Sequence, residues 1–122
     1  MLLMRNKARA LFIAFLAAGL AVQPVSAQFS DSYNFLKAVD ERDGNEAAKY
    51  LDEPGSVIVN TKRDGTGETA LHIVVARRDE TWLSYLLQKD PNPNLADRKG
   101  VTTLMLATQL GFIEGAARLI KN

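Results

Sequence analysis

The sequence predicts an all-α solenoid: helix–turn–helix units, joined by β-turns, stacked behind a secretory leader. Three observations carry this. First, residues recur at a spacing of 33: Asp64 with Asp97, Gly67 with Gly100, Thr69 with Thr102 and Leu71 with Leu104. A period of that size marks a repeat architecture. Second, short apolar stripes with helical spacing alternate with turn residues, and neither helix of a unit can bury its stripe alone. Third, the chain has 122 residues and no cysteine, so packing between units must hold it together.

The leader comes first. Residues 1–9 carry Arg5, Lys7 and Arg9 and no acid, and residues 10–22 carry no charge. Gln23, Pro24 and the small-residue segment Val25-Ser26-Ala27 follow. This is the composition of a signal peptide cleaved after Ala27, leaving residues 28–122 as a periplasmic or secreted domain. The apolar run is shorter than the roughly 20 residues that span a bilayer. If the leader stays uncut, the alternative is a membrane-tethered scaffold. Cleavage removes three of the 15 basic residues and none of the 14 acids, turning a net charge of +1 into −2. Nucleic-acid binding then lacks its electrostatic footprint. After cleavage no membrane contact is expected either.

The first unit, about residues 31–60, starts with a helix over Tyr33–Val39, with Ser30 or Asp31 as its expected N-cap. Arg42-Asp43 forms the turn, matching Arg78-Asp79 at an offset of 36, and Asn45–Leu51 forms the second helix. Extra residues fall in the loop around Pro54–Asn60, and an irregular terminal unit is expected of a capping repeat. The second unit, about 61–94, opens on the turn Gly65-Thr66-Gly67. Its helices place Leu71, Val74 and Val75 against Leu83, Leu86 and Leu87. The third, about 95–122, repeats this from Gly100 through Leu110-Gly111-Phe112 to Ala116–Ile120. It ends on an apolar stripe, Ile113, Ala116, Leu119 and Ile120, that looks uncovered. Either more repeats follow or something covers this end.

The segment Thr69-Ala70-Leu71-His72-Ile73-Val74 resembles the T-P-L-H-x-A signature of the ankyrin repeat. Thr102-Thr103-Leu104-Met105-Leu106-Ala107 resembles it with Thr for Pro and Met for His. The resemblance covers about residues 31–122 and implies a structural role for Gly67, Thr69, His72, Gly100 and Thr102. His72 is the only histidine, and the resemblance assigns it hydrogen bonds to backbone and to Thr69. A catalytic triad or a metal site would need partners that no motif supplies.

Other candidates carry little chemistry. Gly65-Thr66-Gly67 lacks the Lys-Ser/Thr of a phosphate loop. The acids between Asp40 and Glu46 do not have calcium-loop spacing. Asp52-Glu53 and Asp79-Glu80 are sequence neighbours, which point apart on a helix. Trp82 reads as packing between repeats. No catalytic residue, metal or cofactor is expected. An enzyme using surface carboxylates is the less favoured alternative.

The family resemblance implies a concave face, built of turn tips and first helices, that binds another protein. By repeat offset that face comprises Asp40, Glu41, Thr66, Glu68, Arg77, Arg98, Lys99, Val101, Gln109 and Leu110. Acids at one end and bases at the other would polarise it and orient a partner. The expectation is therefore an exported bacterial interaction module, monomeric, with a protein partner whose identity the sequence does not give.

Overall fold

A computed structural model describes residues 25–122, with side chains from residue 30 onward. The leader upstream of Val25 lies outside the described residues. Among the described residues six α-helices form three antiparallel pairs: α1 (Val25–Asp40) with α2 (Gly44–Leu51), α3 (Ala70–Ala76) with α4 (Glu80–Leu87), and α5 (Thr103–Leu110) with α6 (Ile113–Lys121). One 3₁₀ turn, Ile58–Asn60, lies in the long loop after α2. Among the described residues the only β pairing outside helices is a single bridge, Ala96 to Thr102. None of the described helices is long and apolar enough to cross a membrane.

The first helix corrects one expectation. It already runs at Val25, so neither Ser30 nor Asp31 caps it. No Gly or Pro interrupts residues 25–40, so nothing local stops the helix where the repeat begins.

All three pairs make the same tight turn. The first helix of each ends on a residue in the left-handed region: Arg42 (φ 56°), Arg78 (φ 56°) and Gly111 (φ 66°). The next residue's N–H then reaches back five residues, Asp43 to Ala38, Asp79 to Val74 and Phe112 to Ala107, at 2.8–2.9 Å. This satisfies carbonyls that a helix end leaves open. Asp43 and Asp79 then cap the following helix through the amides of Glu46 and Trp82. Phe112 makes no such cap. Its ring is buried instead, lying where a side chain three residues on would stand, and that position is Gly115.

Helix α3 sits between α1 and α5 and against α4, and every residue from Ala70 to Val75 is buried. This explains a segment with little polar face: it is the centre of the stack. Phe35 and Val39 of α1, Leu83 and Leu86 of α4, Ala107 of α5 and Leu119 of α6 complete one continuous core. Trp82 is buried, edge-on to Tyr85 at 5.6 Å, in the packing role its position implied.

Candidate functional site

His72 shows how the units are tied. Its side chain is buried, with Nδ1 3.1 Å from the Thr69 amide and 2.9 Å from Thr69 Oγ1. Nε2 lies 2.8 Å from the Val101 carbonyl in the turn of the third unit. The amide can only donate to Nδ1 and the carbonyl can only accept, so the neutral ring carries its proton on Nε2. His72 therefore closes the capping box of α3 and also bonds the next repeat. The second link, 29 residues away, is not visible in a six-residue signature.

The turn tips that precede α3 and α5 stack on one another. Gly67 and Gly100 both adopt positive φ, 76° and 79°. The Arg98 amide donates to the Thr66 carbonyl at 3.0 Å, tying one tip to the next. In the third unit Asp97 accepts from the amides of Lys99 (2.8 Å) and Val101 (3.0 Å), which holds its carboxyl below the usual range. The matching Asp64 does not play that part. There Arg63 pairs with Glu68 across a turn longer by one residue, with Gly65 at φ 90°, and Asp64 is left exposed.

Between these tips and α1 lies an open concave cavity of about 1190 Å³. Its α1 wall includes Tyr33, Leu36, Lys37 and Asp40, and its tip wall includes Lys62, Arg63, Asp64, Gly67 and Arg98. Of the residues expected on the partner face, the cavity brings together Asp40 and Arg98. Glu41, Thr66, Lys99 and Gln109 are exposed, while Glu68, Val101 and Leu110 are half-buried, and none of these seven lines it.

Two expected groove charges are engaged within the chain. Asp40 holds Arg63 Nη2 at 2.8 Å, a bond from the second unit's tip to the first unit's helix. Arg77 turns inward. Its Nε donates to Asp79 at 2.9 Å, its Nη1 donates to the Val39 carbonyl, and its guanidinium lies 5.6 Å from the Trp82 ring centre. Arg77 thus ties α3 to the end of α1, and the groove's basic end rests on Arg98 and Lys99. Backbone carbonyls are engaged too: that of Val101 by His72, and that of Leu110 by Arg78.

Asp79 is the hub of this region. Its side chain is only 9% exposed, and it accepts from Arg77, from Arg42 at 2.8 Å and from the Trp82 amide. Burial pushes its carboxyl up, but the amide and the two guanidiniums outweigh burial and hold the pKa below the usual value. Sequence reading missed Tyr33, Lys37 and Arg63 as groove residues and Arg42 and Arg78 as ties between repeats. Tyr33 and Lys37 had a signal: they stand four apart on the polar side of an amphipathic helix. The arginine ties had none, because their partners lie 32–37 residues away.

A family model described as ankyrin repeats (3 copies) matches residues 35–122, which is the whole of the three-pair stack except the start of α1.

Proposed function

The chain belongs to the ankyrin-repeat family, and from that premise we propose that this protein–protein interaction module takes its partner on the concave face, outside the cytoplasm. The observation that carries the reading is the groove between α1 and the turn tips. Tyr33, Lys37, Asp64 and Arg98 stand there, and all four are exposed rather than used for packing. Such positions can specify a partner without disturbing the fold. Tyr33, 67% exposed, supplies a large amphipathic surface of the kind that dominates binding energy. Lys37 and Arg98 bring positive charge to the groove, and Asp64 negative charge. Location outside the cytoplasm rests on the leader's composition.

The test is reversal of Arg98 and Lys99 to Glu, with the tagged chain used to capture partners identified by mass spectrometry. A protein retained by wild type and lost by the variant supports the reading. A partner held equally by both, with the same salt dependence, contradicts it.

A further inference from the structure

One tripeptide occurs twice, as Arg42-Asp43-Gly44 and as Arg63-Asp64-Gly65. The bond from aspartate to glycine is where aspartate isomerises most readily. Glycine has no Cβ to shield its amide nitrogen, and it lets the backbone turn until that nitrogen meets the preceding side chain. The two copies share this local chemistry, so only the fold can separate them.

The fold holds the first copy. Asp43 is the N-cap of α2, and its Oδ1 accepts from the Glu46 amide at 3.1 Å. Its carbonyl accepts from the Ala47 amide at 3.0 Å, and Gly44 already belongs to the helix. Carrying Asp43 Cγ onto the Gly44 nitrogen breaks the cap and unwinds the first turn. The second copy has no such hold. Asp64 is exposed, and neither it nor Gly65 hydrogen-bonds to any described residue. Gly65 has φ 90°, and a Cβ there would meet nothing within 4 Å. The bonds that define the tip lie on either side: Arg63 with Gly67 and Glu68, and Thr66 with Arg98.

We propose that Asp64 is a site of spontaneous isomerisation to isoaspartate in the folded protein, and that Asp43 is not. The Gly65 nitrogen bonds to Asp64 Cγ. The Cγ–OH bond breaks, and the hydroxyl leaves with the amide proton as water. The product is a succinimide ring, which water then opens. Addition at Cγ restores aspartate. Addition at the main-chain carbonyl gives isoaspartate, with no net change of mass. Isoaspartate carries one more carbon in the main chain and one fewer in the side chain. Asp64 lines the concave groove, so the reaction reshapes that wall and moves a charge on it.

The test is ageing of the chain, expressed from its full sequence, at mildly acidic pH and physiological temperature. Cleavage after lysine separates the two copies into peptides 38–49 and 63–89. Isoaspartate in each is counted with an isoaspartate-specific methyltransferase. Peptide 63–89 gains it at least about tenfold faster than 38–49, because a helix cap and its first turn must open before Asp43 reacts. Asp64→Ser abolishes the gain in 63–89. In concentrated urea the two peptides react within about twofold of each other, since only the shared sequence then acts. A native ratio below about tenfold overturns the proposal. So does a signal in 63–89 that survives Asp64→Ser, or a native ratio that persists in urea.

Discussion

At the scale of single residues, His72 and Asp79 do the joining. His72→Ala removes three hydrogen bonds, leaves the Val101 carbonyl without that partner and opens a cavity at the centre of the stack. The expected loss is about 2–4 kcal/mol in urea unfolding, a large part of a small domain's stability. A loss under about 0.5 kcal/mol would mean that the ring is not structural. Asp79 sets part of the acid response. Its folded pKa is depressed, so its stabilisation is complete above the ordinary Asp value of about 4 and fades as pH falls through the folded value. Thermal melts should therefore show wild type losing stability as the pH falls below about 4. Asp79→Asn should be less stable near neutrality and lose less across that window. A variant with the wild-type acid slope would remove Asp79 from the account.

At the scale of elements, the turn tips and helix junctions decide how repeats meet. Gly67 and Gly100 share a backbone conformation but not surroundings. A Cβ at Gly67 would stand 2.9 Å from the Arg98 amide nitrogen and 3.3 Å from the Asp97 carbonyl carbon, whereas a Cβ at Gly100 meets nothing within 4 Å. Gly100→Ala should cost about 1–2 kcal/mol, the left-handed penalty alone. Gly67→Ala should cost more, because it also forces two tips apart. Equal losses in denaturant unfolding would show that the tips do not pack as described.

These elements also show what could be read in advance. The helices of the second and third units were legible because Thr69 and Thr102, Leu71 and Leu104, and the two glycines repeat in one frame. The start of α1 was not, because no residue between Val25 and Asp31 breaks a helix. Nor was the fate of Arg77 and Asp40. Both are surface-type residues by composition, and only the stacking of one pair on the next brings Val39 to Arg77 and Arg63 to Asp40.

At the scale of the whole molecule, one stack offers two surfaces of different character. Its concave side carries charges of both signs beside Tyr33 and Leu36, and its far end is apolar. The middle pair is buried on both sides, so α3 anchors the fold while the turn tips and α1 remain free to recognise a partner. The chemistry of the groove also explains why the sequence outlined the face only coarsely. Repeat offsets locate turn tips, but they do not reveal which charges neighbouring units neutralise, and Asp40 is neutralised in that way by Arg63.

Site-specific photo-crosslinking in the native cells tests the central claim most directly. A photoreactive residue is placed at Tyr33 or Arg98 in the groove, and at Glu80 or Thr81 on α4 as the comparison. Binding through the concave face predicts adducts with the same protein from both groove positions and none from α4. Adducts from α4 as strong as those from the groove, or none from the groove at all, would contradict it.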